Sequence, residues 1–214
     1  MISCQAQIYR VICLVFSLFS LSCYGYQWSF QSRLLVPEAS PDTFGNTPYA
    51  FSGRGFGHII SGYNQYANLS LYVHTNDDGY ASEGKFVWTQ QAVLVPIDKS
   101  ATGADPTNPS KRGDQFGYWM VSFNQTLLVS SPFRNEYSME AVGCVYVFNG
   151  SLRLWTQVQK LIPDPNDDTA NSNFGRRMSL DGLFNRRVVI GANGAGLSTG
   201  AAYIYEKDPN GVHW

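Results

Sequence analysis

Three elements recur in the same order along this chain, and their spacing limits the folds open to it. Gly113-Asp114-Gln115-Phe116-Gly117 leads to Leu127-Leu128-Val129-Ser130-Ser131-Pro132 and then to Gly143-Cys144-Val145-Tyr146-Val147-Phe148. Asn173-Phe174-Gly175 leads likewise to Val188-Val189-Ile190-Gly191-Ala192-Asn193 and then to Gly200-Ala201-Ala202-Tyr203-Ile204-Tyr205. A fainter copy opens at Gly55-Phe56-Gly57. The Phe-Gly pairs lie 60 residues apart from Phe56 to Phe116 and 58 apart from Phe116 to Phe174. A near-constant period means that one supersecondary unit is repeated, each copy burying its apolar faces against its neighbours.

A fourth element completes the unit. The runs from Trp28 to Val36, Trp88 to Pro96 and Trp155 to Pro163 each place a Trp eight or nine residues before a Pro, and the sequence ends on Trp214. In the middle copy, strand one follows Phe116-Gly117, strand two covers about Thr126 to Ser130, strand three Gly143 to Phe148 and strand four Leu152 to Ile162. β-branched and aromatic residues dominate these runs, and Asn149-Gly150-Ser151 reads as the turn between strands three and four. Pro163-Asp164-Pro165-Asn166-Asp167-Asp168 forbids continuation of the fourth. Helical periodicity is absent, so almost no helix is expected. Four antiparallel strands and a polar loop describe one blade of a β-propeller. The expected fold is all-β, with successive blades at about 50–98, 113–163 and 171–214. The first copy has only 12 residues from Gly84 to Pro96 against 20 from Gly143 to Pro163, so its third and fourth strands merge or lose a hairpin.

Phe-Gly, a strand ending in a Gly-Ala-Pro-like triplet, Gly-x-Val-Tyr-Val-Phe and Trp followed six residues later by Leu together resemble the FG-GAP repeat of integrin α-subunit propellers. The resemblance is carried by Phe56, Gly57, Phe116, Gly117, Phe174 and Gly175, by Pro132, Gly191 and Ala192 in the triplets, and by Gly143 and Gly200 before the third strands. The triplet is Ser130-Ser131-Pro132 in one copy and Gly191-Ala192-Asn193 in another, and it is absent around Leu71-Tyr72-Val73-His74. Phe56, Phe116 and Phe174 are expected to anchor strand one against the neighbouring blade, their glycine partners letting backbones approach closely. The segment 26–37 reads as an outer strand closing a last blade. Closed propellers use roughly four to eight blades, so about three blades form an open ring. The chain reads as the amino-terminal part of a longer propeller, expected to be poorly soluble alone; a sharp, monomeric, cooperative melt would contradict this.

Residues 1–25 are of another kind. Arg10 is the sole charge, and Val11 to Phe16 with Leu18, Phe19 and Leu21 lead to the small residues Cys23 and Gly25, the pattern of a secretory signal peptide. Cleavage near Gly25 leaves 26–214 with Cys144 as its one cysteine, hence no internal disulfide, and no second apolar run of spanning length. Cys144, in an apolar strand without a flanking His or acid, reads as an inert buried thiol. Asn68, Asn124 and Asn149 head glycosylation triplets that suit an extracellular, secreted or cell-surface product.

A net charge of −1 argues against nucleic acid as a partner. The resemblance implies calcium loops between strands one and two, but 61–68, 122–125 and 179–185 lack alternating acids. Asp181-Gly182 supplies one carboxylate and a turn, too few ligands for a cage, so no metal or other cofactor is expected. Asn76-Asp77-Asp78-Gly79 and Asp164 to Asp168 read as solvated turns. His58, His74 and His213 show no ligand spacing, and no nucleophile elbow, phosphate loop or carboxylate pair accompanies them. Arg176, Arg177, Arg186 and Arg187 flank one strand connection and could form a small positive patch for an acidic partner. The expected function is binding of an extracellular protein or glycan in adhesion or recognition, without catalysis in this segment. The alternative is the propeller part of an exported enzyme, such as a phospholipase-like hydrolase whose catalytic domain lies outside these residues.

Overall fold

The computed structural model describes residues 49–53, 56–61, 71–75, 89–98, 113–123, 125–151, 154–166, 170–181, 187–209 and 213–214. All belong to the compact unit Ser32–Trp214. The signal segment 1–25, the outer strand expected at 26–37, Asn68, Asn124 and Arg186 lie outside the described residues.

β-branched and aromatic residues in short runs between turn-forming residues leave the chain little choice but sheet. The first sheet is β1 (Tyr49–Gly53), β2 (Phe56–Ser61), β3 (Leu71–Thr75) and β4 (Thr89–Leu94), in that order. The second is β5 (Met120–Phe123), β6 (Thr126–Ser131), β7 (Cys144–Ser151) and β8 (Leu154–Leu161). The third is β9 (Phe174–Leu180), β10 (Arg187–Ala192) and β11 (Ala201–Glu206). Every pairing is antiparallel. One four-residue turn, α1 (Ala195–Ser198), joins β10 to β11, with Gly196 and Leu197 at left-handed φ of 58° and 60°. Sheets of three and four antiparallel strands with no closed barrel among the described residues fit an incomplete all-β propeller.

The first sheet departs from the expected strand order. β4 pairs directly with β3, and the Phe56 strand is second because β1 pairs with it. The 12 residues from Gly84 to Pro96 are too few for two strands and a turn, so Thr89–Leu94 serves as a single strand, the second after β2. Asn149-Gly150 is also not the hairpin turn. β7 runs through Ser151, with Asn149 opposite Thr156, Gly150 opposite Trp155 and Ser151 opposite Leu154, so both residues are part of the ladder. Gly150 is needed there because a Cβ would lie 2.5 Å from the Trp155 ring.

The middle sheet is buried on both faces. On one side Leu127, Val129, Cys144, Tyr146 and Phe148 pack with Phe116, Met120 and Leu94 of the first sheet. On the other, Leu128, Val145 and Val147 pack with Phe174, Met178, Val188, Ile190 and Ala192 of the third. Strand alternation sends successive residues of β6 and β7 to opposite cores.

The two described Phe-Gly sites share one geometry. Gln115 and Asn173 have φ of 55° and 56°, and Gly117 and Gly175 have φ of 90° and 91°. Phe116 meets the edges of Tyr146 and Phe148 at 5.5 and 6.1 Å; Phe174 meets Tyr203 and Tyr205 at 5.3 and 6.0 Å. Each phenylalanine therefore touches its own third strand while lying in the core shared with the preceding sheet. Of Phe56, only its place at the start of β2 is described.

Backbone hydrogen bonds clamp the second sheet to the third. The N–H groups of Asn171, Asn173 and Phe174 donate to the carbonyls of Glu140, Ala141 and Val142 at 2.7, 3.0 and 2.8 Å. Gly143 follows directly at φ 89°, and a Cβ there would lie 2.7 Å from the Phe174 nitrogen and 2.9 Å from the Pro132 oxygen. Gly143→Ala is expected to lower unfolding free energy by more than about 2 kcal/mol, since left-handed strain and backbone collision add. At Gly191 the nearest atom to an added Cβ is the Arg177 oxygen at 3.6 Å, so Gly191→Ala should change stability by less than about 1 kcal/mol. Urea unfolding of both variants checks the contrast.

Candidate binding surface

Two constellations of polar side chains stand out, one buried and one at the surface. The buried one joins the exit of β4 to the second sheet. Arg134, almost wholly buried in the β6–β7 connection, donates from Nη1 to Asp114 Oδ2 at 2.6 Å and from Nη2 to Asp98 Oδ2 at 3.1 Å. Its Nε lies 3.4 Å from Glu136 Oε1. Lys160 of β8 donates to Asp98 Oδ2 at 2.7 Å and pairs with Glu136. The Tyr146 hydroxyl donates to Asp98 Oδ1 at 3.0 Å.

Three carboxylates thus surround two cations, and mutual pairing of this kind is what permits charges to be taken from water. Burial alone would raise the Asp98 carboxyl, but the bonds from Lys160 and Tyr146 and the nearby Arg134 charge bring it below its usual range. Burial likewise opposes charge on Lys160, yet Asp98 and Glu136 hold its ammonium above the ordinary lysine range. Burial pushes the hydroxyl of Tyr146 and the thiol of Cys144 strongly upward, so the fully buried Cys144 is no nucleophile at neutral pH. Each cation lies within ion-pair distance of at least two of these carboxylates, which makes the cluster a joint between sheets. Sequence reading missed it because its members lie up to 62 residues apart.

The surface constellation sits where β5 and β9 begin. Arg176 lies with its guanidinium carbon 4.6 Å from the Tyr118 ring centre and 5.4 Å from that of Phe133. Arg177 lies 4.4 Å from the Trp119 ring and 5.9 Å from Tyr118. Tyr118 and Phe133 meet edge to face at 6.3 Å. Trp119 is held by its indole N–H, which donates to the Met178 carbonyl at 3.0 Å, and by its backbone N–H, which donates to Ser130 Oγ at 2.9 Å. The Arg177 Nη1 donates to the Arg176 carbonyl at 2.9 Å, and its side chain is exposed.

Of the arginines that could form one patch, Arg187 stands apart from Arg176 and Arg177. Arg187 lies opposite Glu206 on the β10–β11 ladder and pairs with it at 3.4 Å. Arg177 is opposite Gly191, so Arg187 is four residues further along β10, roughly 13 Å away at strand rise. The aromatic half of the Arg176 and Arg177 site carries no sequence signal beyond Tyr118-Trp119 following Phe116-Gly117.

Other residues of interest are placed as follows. Pro132 is buried beside the β6–β7 connection, Gly191 and Ala192 end β10, and Gly200 turns into β11 with φ 82°. Asp181 is half-buried just after β9, its N–H donating to the Arg187 carbonyl at 2.9 Å. No group of three His, Cys, Asp or Glu that could hold a metal occurs among the described residues. His58 and His74 lie on β2 and β3, opposite Thr75 and Ile59. The exposed His213 closes a turn, its carbonyl accepting from Asp208 N–H at 2.8 Å. Asn149 is half-buried on β7, and its Oδ1 accepts the Thr126 hydroxyl at 3.0 Å. No helix among the described residues is long and apolar enough to cross a membrane.

The FG-GAP repeat family model matches residues 155–205, in keeping with an FG-GAP, propeller-like region. The matched stretch begins in β8 and runs through β9 and β10 into β11, so the sequence repeat takes the outer strand of one sheet with the three strands of the next. FG-GAP repeats are protein-interaction modules. No curated protein matches the chain.

The joint makes stability depend on pH in a stated direction. The Asp98 carboxyl is lowered on folding, so its contribution is present above its ordinary value of 3.8 and is lost as pH falls through the lower folded value. Lys160 is raised, so its contribution is present below 10.5 and is lost as pH rises through the higher folded value. Arg134→Met leaves Asp114 buried without its cation and should cost about 3–5 kcal/mol by urea unfolding. Asp98→Asn should flatten the acid limb of the stability profile.

Proposed function

We propose, from the FG-GAP repeat at 155–205, that the chain is a secreted or cell-surface recognition module that binds a protein or glycan partner and carries out no catalysis in this segment. The family match is the observation that carries the reading. The site best suited to contact is the surface formed by Tyr118, Trp119, Phe133, Arg176 and Arg177. Its aromatic area is partly exposed, and rigid aromatic and arginine side chains are the residue types that dominate binding energy at interfaces. The signal-like residues 1–25 support an extracellular address. Fold alone does not dictate function, so the test addresses export and binding directly.

Expressed from Met1 in a secretory eukaryotic host, the chain is expected in the medium with an amino terminus near Tyr26, read by terminal sequencing. Immobilised, it should retain a defined extracellular protein or glycan, and that retention should be unchanged by a calcium chelator because 122–125 and 179–185 lack alternating acids. Retention of the product inside the cell, or capture that is abolished by chelation, would count against this reading.

A further inference from the structure

We infer that Arg176 and Arg177, over the rings of Tyr118, Trp119 and Phe133, bind a carboxylate-bearing segment of a protein partner in which an acidic residue is flanked by an apolar one. This rests on the proposed binding role and names its partner chemistry.

The first support is a backbone irregularity. In the β9–β10 ladder Arg177 pairs with Gly191 and Phe174 with Ala192, so Gly175 and Arg176 are extra residues on β9. Neighbouring residues on a regular strand point to opposite faces, but here both guanidinium groups reach the rings of Tyr118-Trp119. The bulge sets two cations side by side, where repulsion would keep them apart without an anion or an electron-rich ring.

The second support is what the two groups lack. Among the described residues, neither has a carboxylate within ion-pair distance, whereas Arg134, Lys160 and Arg187 each have at least one. A guanidinium lying over an aromatic ring keeps its N–H edge turned away from that ring, and although Arg177 Nη1 gives one hydrogen to the Arg176 carbonyl, its remaining N–H groups and those of Arg176 match a carboxylate in two parallel hydrogen bonds. Trp119, 36% exposed, and the half-buried Phe133 offer an apolar shelf beside it.

Net charge decides between partner classes. A sulfated glycan or nucleic acid is held by a long basic tract, and this chain carries −1 overall with two cations at the platform among the described residues. Two stacked arginines beside apolar rings instead suit one or two carboxylates on a peptide.

Fluorescence anisotropy of the full chain with a labelled decapeptide centred on Leu-Glu-Glu-Phe, and with its Leu-Gln-Gln-Phe twin, tests this. The glutamate peptide should bind about tenfold tighter than its twin. Arg177→Gln, at an exposed position, should abolish the preference without moving the urea midpoint, and Arg177→Lys should restore only part of it. Equal binding of the two peptides, or a preference that survives in the Arg176→Gln, Arg177→Gln double variant, overturns the proposal. So does tighter binding of a heparin decasaccharide at the same arginines, which would make the partner a sulfated glycan. If the peptide fails while Arg177→Gln still retains a partner in the capture experiment, this site falls and the binding role stands. If nothing is retained at all, both fall.

Discussion

The constraint on which the rest depends is burial of the middle sheet on both faces. β6 and β7 can place Leu127, Val129, Tyr146 and Phe148 in one core only by placing Leu128, Val145 and Val147 in another. Neither half of that alternation is stable in water, so β5–β8 requires a sheet on each side. The first sheet supplies Leu94 and the third supplies Phe174, Met178, Val188 and Ile190. A one-residue slip in either ladder would exchange the two sets wholesale, so the same alternation fixes register.

Packing alone would let sheets slide over one another, and polar contacts remove that freedom. Between the second and third sheets the lock is the backbone clamp from 140–142 to 171–174, made possible by the missing side chain at Gly143. Between the first and second it is the ionic joint around Arg134 and Asp98, with Ile97 N–H donating to Gln157 Oε1 at 3.0 Å outside it. A third-strand tyrosine takes part at each junction, two residues further along in the later copy: Tyr146 donates to Asp98 just past β4, and Tyr205 donates to the Ile162 carbonyl at 3.1 Å just past β8. Each of these third strands therefore holds the exit of the preceding sheet through a hydroxyl, although the position that supplies it differs between copies.

The arginine and aromatic surface follows from the same architecture. The left-handed Phe-Gly turns deliver Tyr118-Trp119 to the start of β5, and the bulge after Phe174 brings Arg176 and Arg177 to meet them. A device that seats Phe174 in the core thus also shapes the adjoining surface. The buried cluster, each of its cations paired with carboxylates, binds sheet to sheet; the two arginines, with no matching acid among the described residues, face outward chemistry.

Much of the fold was legible in the chain itself, because period, strand alternation and turn residues are local properties. Phe-Gly spacing, β-rich runs and the Pro after each Trp sufficed for an all-β repeat and for the strands of the middle copy. Local pattern misplaced the Asn149-Gly150 turn, since packing of Trp155 over Gly150 extends β7 beyond its local stop signal. It also could not order the first sheet, where β1 takes the edge beside β2 while a short segment makes one strand instead of two. The ionic joint and the arginine surface were invisible for one physical reason. Asp98 meets Lys160, and Trp119 meets Arg177, only after separate sheets have packed. By itself the sequence determined the repeating unit and its two-faced strands; the tertiary structure alone decided which distant charges and rings those faces bring together, because neither electrostatic matching nor stacking leaves a periodic trace along the chain.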